Sequence, residues 1–242
     1  MPAGALERAV DLLGRLGDTG AEVTVAELAA DAGMPTSTAY RLLAELELYG
    51  LVQRSSDRTV TLGARLVALG RSAEAGLHER LVAPAEVVMM RLSERTGETV
   101  LLTAPCGYEG IVLHVVEGLR HSVRLSYAVF HRAPMHRGAS GKVMAAYLDD
   151  GERARLLAAV GDPGLERELE RIRDDGFVVT RGELDDGAGA VAAPILDRRQ
   201  RLIAGLSLAG PQERIAAALP DLVGEVREAA AEVRHAYLNA TG

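Results

Sequence analysis

Thr24-Val25-Ala26-Glu27-Leu28-Ala29-Ala30-Asp31-Ala32-Gly33-Met34-Pro35-Thr36-Ser37-Thr38-Ala39-Tyr40-Arg41-Leu42-Leu43 is the stretch that decides how the first part of the chain folds. Thr24 and Glu27 have capping-box spacing: the hydroxyl accepts from the N3 amide and the carboxylate reaches back to the N-cap amide. A short helix to about Ala32 is predicted. Gly33 supplies a sharp turn that a residue with a β-carbon would resist, and Pro35 suits a first helical position, where a missing N–H costs nothing. A further helix then runs to about Tyr49. Its apolar stripe is Ala39, Leu42, Leu43 and Leu46, so Ser37, Tyr40, Arg41 and Ala44 share the opposite face.

Outward from this core, Leu6, Val10, Leu13 and Leu16 form one stripe of an earlier amphipathic helix, with Glu7, Arg8, Asp11 and Arg15 on its other side. On the far side, Gly50 ends the third helix. Residues 51–62 read as two short strands around Ser55-Ser56-Asp57, with Arg54 and Arg58 flanking the turn. Helix, helix, tight turn, helix, hairpin is the order of a winged helix-turn-helix.

The rest of the chain changes character. Residues 65–81 look helical and carry small residues suited to a connector, and 84–95 is another amphipathic helix. Strand-like runs follow at 99–103, 111–116, 123–129, 177–180, 191–196 and 202–208, interleaved with helices near 140–148, 165–175 and 221–238. The short glycine-containing segment between 111–116 and 123–129 favours their antiparallel pairing. The expected fold is α+β: residues 1–72 as a winged helix-turn-helix, 73–83 as a linker helix, and 84–242 as a second domain built on an antiparallel sheet.

Composition narrows the function classes. The 242 residues are 48% hydrophobic, enough for two modest cores, and the net charge is −7. Coating nucleic acid or membranes nonspecifically rests on summed attraction to phosphates, which this charge opposes. A local reading surface remains compatible with it. Residues 1–72 hold seven arginines against nine acidic residues, a net charge of −2, so affinity there must come from local contacts and paired half-sites. Lys142 is the one lysine among 27 basic residues, and Cys106 is the one cysteine, which excludes an intrachain disulfide or a cysteine-based zinc finger. With no apolar signal segment and no long uncharged run, a cytoplasmic chain without membrane attachment is expected.

The order of these words resembles the IclR family of bacterial regulators over essentially the whole chain. In the first domain the resemblance is carried by Leu6-Glu7-Arg8-Ala9, Glu27-Leu28-Ala29, Gly33 to Leu43 as quoted above, and Gly50-Leu51-Val52. In the second it is carried by Pro134-Met135-His136 before Gly141-Lys142, Gly176 before Glu183, Ala192-Ala193-Pro194, and Ser207-Leu208-Ala209-Gly210-Pro211. The resemblance implies a GAF-like effector-binding domain with a curved antiparallel sheet. It also implies homodimers through the N-terminal domains, often homotetramers, that bind inverted-repeat operators in double-stranded DNA and respond to a small organic acid or aromatic metabolite. Phe130 departs from the family pattern, standing where a glycine is usual, and Arg137 stands where a small residue is usual.

For DNA, the third helix is expected in the major groove. Arg41 suits bidentate pairing with guanine, Thr36 and Ser37 near the helix N-terminus suit phosphate, Tyr40 shares their face, and Arg54 and Arg58 add backbone contacts from the wing. For the effector, Gly138-Ala139-Ser140-Gly141-Lys142 is a small-residue turn opening a helix, whose amides suit a carboxylate. By resemblance, Ala139 and Ser140 fall where carboxylate ligands are held, and Thr180, Ala188, Ala190, Ser207 and Ala209 on other lining positions, with Met135 as a wall. Keto-acid-sensing members carry an acidic residue and a cysteine at the positions of Thr180 and Ala190. The resemblance therefore implies a less polar pocket and a larger aromatic or aliphatic carboxylate. The plain alternative is a structural glycine turn beside an empty cavity.

Catalytic readings fail on spacing. His136 occupies the first-glycine position a phosphate-binding loop requires, and Ser207 lacks the G-x-S-x-G setting of a nucleophile elbow. His114, His121, His131 and His136 fit no zinc signature, so no catalytic residue, metal or cofactor is assigned. A ligand-responsive repressor or activator is the leading reading. A metabolic enzyme using the C-terminal pocket and a constitutive DNA-binding protein without a ligand are the alternatives. Coupling between sites would run through the 65–81 connector.

Overall fold

The computed structural model describes residues 4–55 and 59–240. The chain divides into two compact units, residues 1–76 and 77–242. The first contains α1 (Ala5–Thr19), β1 (Val23–Thr24), α2 (Val25–Asp31), α3 (Thr36–Leu48), β2 (Val52–Arg54) and β3 (Thr59–Leu62), and most of α4 (Ala64–Leu77). The capping box forms as read: Thr24 Oγ1 accepts from the Glu27 amide at 3.2 Å, and Glu27 Oε2 accepts from the Thr24 amide at 2.9 Å. Gly33 takes φ +61°, the left-handed conformation the turn requires.

Two local expectations shift. Pro35 is the residue before α3 rather than its first residue: its ψ of 135° is extended, while its carbonyl accepts from the Thr38 and Ala39 amides. The wing is one strand wider than a hairpin. Val23 and Thr24 pair with Val60 and Thr59, giving the order β1-β3-β2. The stripe Ala39, Leu42, Leu43 and Leu46 is buried against Leu12, Leu16, Val25, Leu28, Val52 and Val60.

The second unit begins with a π-helical turn (His78–Val82) and α5 (Ala83–Thr96), so the expected linker at 73–83 lies entirely in helical backbone. Then come β4 (Thr99–Cys106), β5 (Glu109–Val116), β6 (Arg132–Pro134), α6 (Gly138–Ala146), α7 (Asp150–Val160) and α8 (Pro163–Asp175). The unit ends with β7 (Val178–Arg181), β8 (Ala188–Leu196), β9 (Leu202–Pro211), α9 (Gln212–Ala217) and α10 (Leu219–Ala240). The strands form one curled antiparallel sheet in the order β6-β5-β4-β9-β8-β7.

Alternation along β4 separates the two faces. Val100 and Leu102 join a core with Met89 and Leu92 of α5, Ile215 of α9, and Val226 and Val233 of α10. Leu101 points the other way, and so does Thr103. On that second face, Val143 and Met144 of α6 and Leu169 and Ile172 of α8 pack with Val178 and Ala192.

The strand expected at 123–129 does not form. The partner of β5 on that side is β4, joined by a tight turn, and its other neighbour is the three-residue β6. Side chains hold two of the carbonyls of this segment, and a backbone turn holds a third, the Ala128 carbonyl accepting from the His131 amide at 3.1 Å. Arg214 donates to the Val123 carbonyl at 2.9 Å, and Thr99 Oγ1 donates to the Leu125 carbonyl at 2.6 Å. Arg214 is itself fixed by a bidentate pair with Glu98, 4% exposed, at 2.6 and 2.8 Å. That carboxylate holds the guanidinium above its ordinary pKa, with burial opposing. The segment then turns at Phe130, which adopts φ +67° while its amide donates to the Val112 carbonyl at 2.7 Å. A glycine would adopt that conformation freely, which is the physical content of the departure noted in the sequence.

Candidate functional site

The first candidate is the outer face of α3. Burial of Ala39, Leu42, Leu43 and Leu46 forces the intervening residues outward, and Thr36, Ser37, Tyr40 and Arg41 are all exposed. The amides of the first turn of a helix lack intrahelical partners, so the Thr36 and Ser37 end of this face presents N–H groups as well as hydroxyls. Arg41 makes no ion pair among the described residues. Arg54 is differently placed from the free wing cation expected. Its Nε donates to Glu47 Oε2 at 2.6 Å, its backbone amide donates to Glu47 Oε1 at 3.2 Å, and a second guanidinium nitrogen pairs with the same carboxylate. The hydrogen bond from Arg54 holds Glu47 below the usual carboxylate range. Arg54 thus ties the wing to α3. Arg58 lies outside the described residues.

The second candidate is a cavity of about 320 Å³ on the inner face of the large sheet. Its floor is Leu101, Thr103, Val112, Ala190, Ser207 and Ala209, and Thr180 and Ala188 stand beside them. One wall is the start of α6, from Gly138 to Gly141, and the roof includes Tyr127, Glu183, Leu184 and Asp185. Seven of the eight lining residues expected from sequence meet here. Met135 does not: it is fully buried in the core around α6, because the β6-to-α6 turn directs it behind the cavity wall.

The two glycines at the start of α6 have separate causes: Gly138 takes φ +71°, the left-handed conformation, and Gly141 lies against backbone. A β-carbon on Gly138 would lie 2.5 Å from Leu184, and one on Gly141 would lie 2.7 Å from the Pro134 carbonyl oxygen. Ser140 Oγ donates to Ser207 Oγ at 2.7 Å across the cavity wall. The Gly138 amide donates to Glu183 Oε2 at 3.0 Å. Nothing among the described residues accepts from the Ala139 and Ser140 amides.

Lys142, one turn further into α6, is 8% exposed and donates to Glu183 Oε1 at 2.7 Å and Glu168 Oε1 at 2.8 Å. Burial pushes its ammonium down, but the two carboxylates outweigh that and hold it above the ordinary lysine range. Glu183 therefore serves as the acceptor for both the helix start and the lysine.

Three polar groups of the cavity had no assignment in the sequence reading. Tyr127 donates to Asp185 Oδ2 at 3.3 Å, and burial together with the nearby charge of Asp185 pushes its phenol up to about 12. The Tyr127 and His131 rings stand 6.4 Å apart. Thr103 Oγ1 is sealed from solvent and has no hydrogen-bond partner. The signal for Thr103 was a lone hydroxyl at the end of the apolar run Val100-Leu101-Leu102; Tyr127 and Asp185 are 58 positions apart and carry no local signal.

Two family models cover nearly the whole chain. The IclR helix-turn-helix domain matches residues 5–56, and the bacterial transcriptional regulator IclR C-terminal domain matches residues 77–235. The chain belongs to the IclR family. Among its relatives, HTH-type transcriptional regulator KipR of Bacillus subtilis is 29% identical over 87% of this chain and 88% of the relative. The transcriptional repressor IclR of Escherichia coli is 29% identical over 96% of this chain and 89% of the relative. The crystal structure of Thermotoga maritima IclR superposes with a TM-score of 0.62 at 28% identity, covering 95% of this chain and 97% of that one. Members of the IclR family with these domains are transcriptional regulators, not enzymes, and this chain carries their helix-turn-helix DNA-binding domain.

Proposed function

We propose that this IclR-family protein is a ligand-responsive repressor or activator that binds an inverted-repeat operator as a homodimer or homotetramer in the cytoplasm. Residues 1–72 read DNA, 73–83 link, and 84–242 bind the effector. With α3 in the major groove, Thr36, Ser37, Tyr40 and Arg41 meet phosphates and base edges, Arg41 pairing with guanine and Thr36 and Ser37 holding phosphate. The wing contributes Arg58, and Arg54 if it exchanges Glu47 for phosphate. With a net charge of −2 on its reading domain, one protomer gains little from general phosphate attraction, so two half-sites are needed for useful affinity.

The effector is a small carboxylate held at the start of α6. The observation that carries this reading is the pair of unpartnered amides at Ala139 and Ser140, two residues of the cavity lining, beside the Ser140 and Ser207 hydroxyls and a mainly apolar floor. A helix N-terminus with free amides favours an anion, and a cavity near 320 Å³ sits at the small end of ligand sites. The test is a gel shift on the DNA upstream of its own gene, run with and without a panel of aliphatic and aromatic acids. At least one acid is expected to change operator affinity. Ser140→Trp, which fills the cavity, is expected to remove that response without removing operator binding, and an identical response in this variant would refute the site.

A further inference from the structure

The cavity is enclosed by two kinds of backbone. Tyr127 and His131 come from the irregular segment between β5 and β6, and Glu183, Leu184 and Asp185 come from the β7–β8 turn. Every other described residue of the lining lies on a strand or in α6. The sheet floor is thus covered by two irregular pieces, one leading into edge strand β6 and the other leaving edge strand β7.

The two covers are fastened differently. The β7–β8 turn is tied to α6: Glu183 accepts from the Gly138 amide and from Lys142, Arg137 donates to the Glu183 carbonyl, and Leu184 lies against Gly138. The Gly182 amide donates to the Ala188 carbonyl at 2.7 Å and closes the neck of the turn. The other cover is anchored at its two ends, by Arg214 and Thr99 on the Val123 and Leu125 carbonyls and by the Phe130 amide on the Val112 carbonyl. Residues 126–129 span the anchors, and Ser126, Ala128 and Val129 are exposed. Within the span Ser126 donates to Glu117 and the Ala128 carbonyl accepts from His131; neither bond crosses to the β7–β8 turn.

Tyr127 is the residue of this span that lines the cavity. Its ring packs on Leu101, Val112, Ala190 and Ala209 of the floor. Its hydroxyl crosses to Asp185 at 3.3 Å, beyond the usual range of about 2.5–3.0 Å for such a bond. The floor beneath is almost closed to water, with Ser207, Ala209, Leu101 and Val112 between 1% and 6% exposed. An effector that is to rest on that floor meets the tyrosine ring first.

Resting on the reading of this cavity as the effector site, we infer that Tyr127 is its lid: the ring and the span 126–129 swing off the floor to admit the effector, the β7–β8 turn stays on α6, and the contact with Asp185 is the latch between the two covers. Little burial is lost in the exchange, because the apolar body of the ligand covers the floor side chains that the ring uncovers. One long hydrogen bond is given up. Loop openings of this kind run on the microsecond to millisecond scale and gate access to many sites.

The test is thiol labelling of the full-length protein carrying Cys106→Ser and Ala190→Cys, with methyl methanethiosulfonate as the probe and intact mass as the readout. Ala209→Cys serves as a second reporter on the same floor. Both thiols are expected to label far more slowly than in the urea-unfolded chain. Tyr127→Phe, which loses the latch and keeps the ring, is expected to label about threefold faster. Tyr127→Ala is expected to label about tenfold faster or more. Val226→Ala, a destabilising change in the core on the other face of the sheet, is the control for unfolding. The lid is overturned if both thiols label in the parent as fast as in urea, or if Tyr127→Ala labels no faster than the parent. It is also overturned if Val226→Ala, at the same melting temperature, labels as fast as Tyr127→Ala. No acid is present in this assay, so a failed lid leaves the carboxylate reading to its operator-shift test, and a failed acid panel leaves the labelling result standing.

Discussion

Glu183 places one carboxylate oxygen 2.7 Å from Lys142 Nζ and the other 3.0 Å from the Gly138 amide, so a single side chain fixes both the first turn of α6 and the buried lysine behind it. Removing the lysine while leaving the two glutamates leaves facing negative charges with no compensation. Lys142→Met is expected to destabilise the protein by about 3 kcal/mol, the low end for breaking a buried pair, because Glu168 and Glu183 remain partly exposed. Denaturant melts of the two proteins measure it. The folded-state pKa of Lys142 is raised, so its contribution is fully present below the ordinary lysine pKa and is lost as pH rises through the folded value. Wild type and variant should therefore differ at neutral pH and converge only in strongly alkaline buffer.

Arg41 is exposed on the face opposite the buried stripe of α3. Arg41→Ala is expected to cost about 1–3 kcal/mol at each half-site, enough to abolish an operator shift in a gel while the oligomer elutes unchanged from a sizing column. Retained binding would remove Arg41 from the reading face.

Glu47 neutralises Arg54 and ties the wing to α3. Glu47→Gln releases that guanidinium and removes an opposing charge beside the DNA. Binding to random-sequence duplex is expected to strengthen, and each new phosphate contact should steepen the slope of log affinity against log salt by about 0.9. An unchanged slope would mean that Arg54 stays structural when DNA binds.

Phe130 holds φ +67° with a side chain 55% exposed, so it pays a backbone cost with little burial in return. The left-handed conformation costs an L-residue roughly 1–2 kcal/mol, and glycine returns about 0.5–1 kcal/mol of that through chain entropy. Phe130→Gly is expected to raise the melting temperature by a few degrees. A lower melting temperature would show that the ring makes contacts outweighing the strain.

Thr103 Oγ1 is buried without a partner, which costs the ligand-free protein about 1 kcal/mol or more. Thr103→Val keeps the shape and removes that cost. The variant should melt higher in a thermal-shift experiment, and an unchanged or lower melting temperature would show that the hydroxyl is satisfied in solution.

The parts of this fold that were legible in the sequence are those set by neighbours along the chain. The Thr24–Glu27 box, the Gly33 turn and the α3 stripe each depend on residues within four positions, and the structure reproduces them with Pro35 displaced by one. Helix α7 carried equally local marks and was still missed: Asp149 caps it by accepting from the Glu152 amide at 2.8 Å, and Gly161 ends it in the left-handed conformation. The 123–129 run alternates like a strand but lost its pairing to Arg214 and Thr99, which are distant in sequence. The same distance hid the Tyr127–Asp185 pair, whereas Ser140, Thr180, Ala190 and Ser207 were reachable through the family resemblance because their surrounding words are short and ordered.

The chain has one lysine, and that residue is enclosed between Glu168 and Glu183. Its surface cations are arginines throughout. Acylating dyes, aldehyde cross-linkers and acetyltransferases, all of which need an accessible ε-amine, therefore have no side-chain target on the folded protein. Labelling of Lys142 by such a reagent would report opening of the α6 region rather than surface chemistry.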